Sequence, residues 1–427
     1  MPVYRVPGGK RATVYAFADE IDEWLRNVSD DNTQRAAEET PTDSSILPTE
    51  GLDPGKRAAK ARIALSRWVL LGAGVALVIA LVGMVMLAGH RPGLADHVSF
   101  NGKKLCAYDQ NGRLAWEHEF PDKLDNPVYF EFEWLAKPRF LDLDGDGRQE
   151  LLIVVGFAVD SAPNVAREQL CCFSSSGEML WSYEPTLTLS FAGQRYEGPW
   201  FITDVLLRDN GAHKSLWLAM VHNTWWPSFV AKLDPKGNPT VQFVNSGATF
   251  RLGYLLNDSG SFVIACGVNN EYSTGTLAVL DESQAPSASP QTPGSTYSCD
   301  ACPEGRPLRY YLFPRSELNT LQGGPYNPIK NLRTFENHLE FDTGEAEPNR
   351  VRGPDWASYF VYQFSKNLDV ETVSMSDGYA DLHRRLSSEH RIAHSLEECP
   401  VLTRPYLVRM WDELNGWTEK EVVWAKR

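Results

Sequence analysis

Residues 68–89 (WVLLGAGVALVIALVGMVMLAG) form a run of 22 positions without a charge, bounded by polar sequence on both sides. At about 1.5 Å rise per residue such a run would reach about 33 Å, enough for a hydrocarbon layer of roughly 30 Å. The pattern predicts a membrane-crossing helix over 66–90. Lys56, Arg57, Lys60, Arg62 and Arg67 precede it, whereas Arg91 alone follows before Asp96. That bias keeps the N-terminus in the cytoplasm. A cleaved secretory signal is the alternative, but the long polar preface and the length of the run argue for an uncleaved anchor. The expectation is a single-pass protein of the cell inner membrane, with residues 97–427 periplasmic or extracellular.

Beyond residue 97 the pattern changes to short apolar strands separated by turn residues, and it repeats. KLCAYDQNGRLAWEHEF (104–120) aligns with QLCCFSSSGEMLWSYEP (169–185) and more loosely with SFVAKLDPKGNPTVQFV (228–244), and TLAVLDES (276–283) begins a fourth copy. Each copy is a strand, a tight turn on Asp or Ser and Gly, and a second strand that carries Trp at a fixed offset in Trp116 and Trp181. LLIVVGF (151–157), SLWLAMV (215–221) and SFVIACGV (261–268) precede later copies, and RYYLFP (309–314) and SYFVYQFSKNLDVETVSM (358–375) continue the theme. A period of roughly 47–65 residues is the length of one four-stranded propeller blade with variable loops. The predicted fold is mainly β, with propeller-like repeats of four-stranded blades, one transmembrane helix and a small α+β N-terminal segment. About six or seven blades would fit the length, and a β-sandwich pair is the competing architecture. Near the end, Asp377 is expected to cap a helix over 377–389, with His383 and His390 on a polar surface. A hairpin over 406–424 turns through Asn415-Gly416.

The strongest chemical motif is FLDLDGDGRQELLIVV (140–155). Asp142, Asp144 and Asp146 alternate, Gly147 follows, and Glu150 stands directly before an apolar strand. Alternate carboxylates in a curled loop converge as a hard cation of several oxygen ligands requires, and calcium is the natural occupant. An EF-hand would need its bidentate Glu at loop position twelve, which is Ile153 here, so the loop belongs to a β-hairpin. A solvated acidic turn without metal is the bland alternative. This stretch resembles the FG-GAP/VCBS family of propeller repeats. The resemblance implies side-chain ligation of one structural Ca2+ by Asp142, Asp144, Asp146 and Glu150, plus the carbonyl of Arg148. A weaker likeness is to quinoprotein blades, whose strand motif ends in Gly, three residues and Trp, as Gly112 to Trp116 does.

Residues 1–27 read as two short strands, 3–6 and 12–16, around the turn 7–11, followed by a helix with Ile21, Trp24 and Leu25 on one face. The stretch resembles the wing-and-helix part of the MerR/excisionase type of helix-turn-helix, in which Arg5, Lys10 and Arg11 would face phosphates. The two helices that enter the major groove in that family do not precede it here. A partner-dependent mini-domain, a unit completed by upstream codons and chance all remain open, and no sequence-specific DNA binding follows. Residues 28–60, acidic and poor in large apolar side chains, are expected to be a disordered linker.

The net charge of -14, from 41 Lys and Arg against 55 Asp and Glu, gives the whole chain no attraction for nucleic acid. Its 13 Trp, 16 Tyr and 19 Phe suit many packed strands. Seven cysteines cannot all pair. Cys299 and Cys302, in the loop 284–306, are disulfide candidates with each other or with Cys399; zinc held by these with His390 or His394 is the weaker alternative. Cys171-Cys172 lies within a strand, whose successive side chains point to opposite faces, so a vicinal disulfide is disfavoured. Trp225-Trp226 and the run Tyr129, Phe130, Phe132, Trp134 are candidates for a ligand groove, with core packing the simpler account. No catalytic constellation stands out. The sequence therefore points to a non-enzymatic, membrane-tethered binding or scaffold protein whose partner is a protein, glycan or envelope component. A transmembrane one-component regulator and an extracytoplasmic hydrolase or quinone-dependent enzyme are the alternatives.

Overall fold

The computed structural model describes residues 94–125, 138–157, 167–209, 214–224, 226–346 and 358–425, together with two short strands near the N-terminus. The chain divides into two units, Met1–Gly89 and His90–Arg427. In the first, Tyr4–Arg5 and Val14–Tyr15 pair antiparallel, with Tyr4 opposite Tyr15. The expected N-terminal helix, Lys10, Arg11, the linker 28–60 and the apolar run 68–89 lie outside the described residues. Among the described residues no helix is long and apolar enough to cross a membrane.

The second unit is mainly β. Five antiparallel meanders follow one another along the chain. Sheet I holds Ala95–Asn101, Lys104–Asp109 and Leu114–Glu119. Sheet II holds Arg139–Leu141, Glu150–Phe157, Arg167–Phe173 and Met179–Tyr183, with the short strand Leu124–Asp125 also paired to Glu150–Phe157. Sheet III holds Trp200–Asp209, Lys214–His222, Ser228–Leu233 and Pro239–Asn245. Sheet IV holds Thr249–Asn257, Gly260–Asn269, Thr274–Asp281 and Arg309–Phe313. Sheet V holds Ile329–Thr334, His338–Ala346, Ser358–Ser365 and Val370–Met375.

Sheets II, III and IV each bury one face against the sheet before and the other against the sheet after. Ile153, Val155 and Phe173 of sheet II meet Leu105, Trp116 and Phe120 of sheet I. On the opposite face, Leu152, Val154 and Cys172 meet Ile202, Leu218 and Phe229 of sheet III. A third core joins Trp217, Val230 and Phe243 to Val263 and Leu280 of sheet IV. A fourth joins Ile264, Leu277 and Phe313 to Phe341, Tyr362 and Phe364 of sheet V. Strands buried on both faces read as unbroken apolar runs rather than alternating ones, which is why LLIVVGF and SLWLAMV look as they do. Cys171 and Cys172 accordingly face different cores, and both are free thiols. Four cores in series make a stack of sheets, not a two-sheet sandwich.

The Gly-to-Trp spacing of the repeats is an inter-sheet lock. Gly112, Gly177 and Gly237 all have φ near +80° and close equivalent turns, donating to the carbonyls of Asp109, Ser174 and Asp234. The ring of Trp116 in sheet I lies on Gly177 of sheet II, and that of Trp181 in sheet II lies on Gly237 of sheet III. Trp181 also donates its indole N–H to the Pro235 carbonyl at 3.0 Å. Nothing covers Gly112 within 4 Å among the described residues. Sheet III has Val241 where Trp would fall, and the lock ends there.

Deeper in the stack, buried carboxylates tie first strands to their neighbours. Glu168 Oε2 accepts from Ile202 N at 2.7 Å, and Asp204 Oδ2 accepts from Leu252 N at 2.7 Å. The Asp204 side chain lies 3.6 Å from the Arg251 guanidinium. Bulges recur in the first strands of sheets III, IV and V, between Ile202 and Asp204, Thr249 and Arg251, and Ile329 and Asn331.

The last third of the chain departs from the simple repeat. After Asp281 the fourth copy makes no tight hairpin: the chain crosses to sheet III, where Ser287–Ala288 pairs parallel with Pro239–Asn245, before returning as Arg309–Phe313. The terminal strands Tyr406–Asp412 and Gly416–Trp424 form the expected hairpin. They bridge the outer edges of sheets IV and V into one ten-stranded sheet rather than adding a blade. Five meanders therefore stand among the described residues, against the six or seven that length alone suggested. Among the described residues three helices complete the unit: α1 (Glu317–Leu321), α2 (Asp377–Ser388) and α3 (Pro400–Thr403). Ser376, not Asp377, caps α2 by accepting from Tyr379 N, and Asp377 is its first helical residue.

Candidate functional site

The acidic loop joins Arg139–Leu141 to Glu150–Phe157 in sheet II. The carboxylates of Asp142, Asp144 and Asp146 converge, with one oxygen from each within 4.8 Å of the others. Gly145 and Gly147, at φ +84° and +85°, permit the curl. Asp142 accepts from Gly145 N at 2.7 Å and from Gly147 N at 3.1 Å, and Asp146 accepts from Arg148 N at 2.7 Å. Glu150 is buried and its Oε2 accepts from Leu143 N at 2.7 Å, so it braces the entry of the loop. Burial pushes its carboxyl up against the lowering effect of that bond, and the charges of Asp144, Asp146 and Asp142 add to the rise. Lys214 of sheet III donates to the Asp142 carbonyl. The donor set is all oxygen and curled around one point, which fits a calcium ion.

A cleft of about 740 Å3 opens where sheets III, IV and V meet. Phe250 and Lys330, the residues left unpaired at two of the bulges, line it, so the ladder irregularity re-aims their side chains. Tyr326, Tyr359, Asn331 and Asp342 add aromatic and polar groups. Asp342 is buried, accepts from Asn331 Nδ2 at 3.0 Å through Oδ2, and has no partner for Oδ1 among the described residues. Glu345 also borders the cleft, but its oxygens are committed: Oε2 to Ser316 N at 3.0 Å, and Oε1 to Thr343 Oγ1 at 2.7 Å and Asn327 Nδ2 at 3.3 Å.

Glu345 thereby fixes Ser316, the cap of α1, and α1 carries Glu317 into a second cluster. Glu317 Oε1 stands 3.0 Å from each of His383 Nε2, His394 Nε2 and Cys399 Sγ. His383 is fully buried and Cys399 nearly so. Burial alone would push the Glu317 carboxyl up, but the bonds from Cys399 and the two histidines outweigh it and hold the group below the usual glutamate value. Burial, then the adjoining carboxylate, pushes the Cys399 thiol up to about 12.

Cys399 is therefore a free thiol among histidines, not a partner of the other pair. Cys299 and Cys302 are disulfide-bonded to each other, and Asp300 between them accepts from Ser190 Oγ and Gly193 N at 2.7 Å each. His390 lies exposed and takes no part, whereas His383 is in the core rather than on the polar surface expected of it. Glu317 and His383 escaped sequence reasoning. His383 shares the i, i+4, i+7 stripe of Tyr379 and Leu386, which marks it as inward; Glu317, on a five-residue helix, left no such signal. Trp226 packs with Phe191, Tyr196 and Tyr297 and donates to Ser246 Oγ at 3.2 Å, a packing role. Trp225 and the aromatic run 129–134 lie outside the described residues.

No family model and no curated protein matches the chain. Among solved structures it is similar to a protein of unknown function from Bacteroides caccae, at 11% identity over 65% of this chain and 76% of that one, with a TM-score of 0.28. It is similar to the Dos1 propeller at 10% identity over 77% and 70%, TM-score 0.31. A Synechocystis apocarotenoid oxygenase mutant follows at 7% identity over 64% of each chain, TM-score 0.25. Likeness at this level bears on neither family nor function.

Proposed function

We propose that this chain is a single-pass membrane protein whose extracytoplasmic unit is a propeller-type, calcium-stabilised binding domain without catalytic activity. The observation that carries the reading is a coincidence of boundaries: the β unit begins at His90, directly after the uncharged run 68–89. The disulfide Cys299–Cys302 on the far side of that run suits an oxidising compartment. The cleft is the ligand seat. Its mixture of Tyr326, Tyr359 and Phe250 with Lys330, Asn331 and Asp342 suits a glycan or an extended peptide, which offers flat apolar faces and hydrogen-bonding edges together. Nucleic acid has no place in this reading, because a net charge of -14 gives the chain no general attraction for it.

The test is capture of the detergent-solubilised full chain on arrays of glycans and of peptides. Retention of the wild type by one ligand class, lost in Lys330→Glu, is the expected result. Failure of the wild type to be retained on either array, or equal retention of the variant, contradicts the cleft as the seat. A hydrolytic reading has one observation in its favour, that burial pushes up the carboxyls of both Asp342 and Glu345 beside the cleft. The commitment of the Glu345 oxygens to Ser316, Thr343 and Asn327 leaves Asp342 without a second free carboxylate among the described lining residues, and glycoside hydrolysis in its usual form uses two.

Calcium would be held by Asp142, Asp144 and Asp146, with the Arg148 carbonyl and Glu150 completing the set, and would supply folding stability. At a calcium concentration of about 100 times Kd the gain is about 2.7 kcal/mol. Thermal melts of the full chain with and without calcium should show a rise in Tm of several degrees for the wild type and none for Asp144→Ala. An unchanged wild-type Tm removes the ion from the account.

A further inference from the structure

We propose that Glu317, His383, His394 and Cys399 form a structural site for one zinc-class divalent cation, tying α1 to α2 and to the irregular chain that follows it. His383, His394 and Cys399 follow Glu317 by 66, 77 and 82 residues, and the four ligand atoms lie within 4.8 Å of one another. A tetrahedral zinc ion with Zn–N, Zn–O and Zn–S bonds of roughly 2.0–2.3 Å sets its ligands about 3.3–3.7 Å apart. The observed 3.0 Å spacings about Glu317 Oε1 need open by only a few tenths of an ångström to admit the ion.

A knot of hydrogen bonds is the plain alternative, and it accounts for the cluster poorly. One carboxylate oxygen has two lone pairs, yet three donors crowd onto Oε1. His383 has no exposed surface and its Nδ1 has no partner among the described residues, so without an ion a buried imidazole is left with a share in a single acceptor. A cation gives each of the four groups a bond of its own. The charges also balance: a carboxylate and a thiolate with two neutral imidazoles neutralise a divalent ion, and the Cys399 proton leaves to solvent as the S–metal bond forms.

The chemistry of the donors selects the metal. Two imidazole nitrogens, a thiolate and one carboxylate oxygen suit zinc, whereas the all-oxygen loop at Asp142, Asp144 and Asp146 suits calcium. With four protein ligands the site is closed, which marks it as structural. Glu317 and His394, both partly exposed, leave an entry path. The gain falls in a segment without regular structure: between α2 and α3 there is no strand or helix, and the site would fasten that segment at two points, His394 and Cys399.

The experiment uses the full chain, untagged and solubilised in detergent, in three arms. Metal analysis should give about one zinc per chain, and Co2+ in its place should give the strong near-ultraviolet band of a thiolate–cobalt bond with the visible bands of a tetrahedral ion. Cys399→Ser should lose the thiolate band and weaken zinc binding by about 100-fold or more, whereas Asp144→Ala should keep both. Should Cys399→Ser fail to fold, the wild type still decides: Cys399 should resist a thiol reagent with zinc bound and react after chelation under native conditions. A chain purified without zinc that takes up no Co2+, a cobalt spectrum lacking the thiolate band, or thiol reactivity indifferent to chelation overturns the site.

Discussion

Gly177→Ala should lower the stability of the β unit by about 2–5 kcal/mol, while the same change at Gly112 should cost only about 1–2 kcal/mol. Both glycines sit at φ near +80° in equivalent turns, so both substitutions bear the left-handed penalty of roughly 1–2 kcal/mol for an L side chain. Only Gly177 has a neighbour in the way. A Cβ there would lie 2.6–2.8 Å from three atoms of the Trp116 ring, close to its root, and Trp116 is itself packed against Phe173. Displacing a large buried ring adds an overpacking cost of about 1–3 kcal/mol. Gly112 has open space on that side. The check is a pair of chemical denaturation curves for the full chain, read through Trp fluorescence. Equal losses for the two variants would mean that the Gly-to-Trp spacing is a turn signature and nothing more.

That lock also shows how much of the fold was legible. The repeated turn-and-Trp units were visible because both halves of the contact recur at fixed spacing, and the strands around them were visible because burial on two faces leaves uninterrupted apolar runs such as LLIVVGF. The hairpin at Asn415-Gly416 was legible from its turn. Its placement was not. Nothing local in Tyr406–Asp412 says that it pairs with Arg309–Phe313, about 100 residues earlier, or that the final strand runs parallel beside Val370–Met375. Length alone therefore overcounted the sheets. The acidic loop was legible because its carboxylates are two residues apart. The His-Cys-Glu cluster was hidden because its members stand on a five-residue helix, a twelve-residue helix and irregular chain, and are joined only by tertiary folding. Of His390 and His394, both candidates beside Cys399, only His394 joins the cluster, and a non-periodic segment gives no basis in sequence for choosing between them.

The buried pair of Asp204 and Arg251 has the opposite lesson. Asp204 accepts from the Leu252 and Val205 backbone N–H groups beside the Arg251 guanidinium. Burial pushes its carboxyl up, and Arg251 and those two backbone bonds oppose the rise. A carboxylate placed like this serves the joint between sheets III and IV, not a ligand.

The functional reading depends on which side of a membrane the stack of sheets occupies. The second large effect is accordingly all-or-none. The full chain, tagged at both ends and inserted into sealed, right-side-out membrane vesicles, is treated from outside with protease. Loss of the C-terminal tag, with a protected fragment that still carries the N-terminal tag and becomes digestible only after detergent, is the predicted result. A C-terminal tag that survives until detergent is added, or a chain that washes off the vesicles with alkaline carbonate, would contradict it.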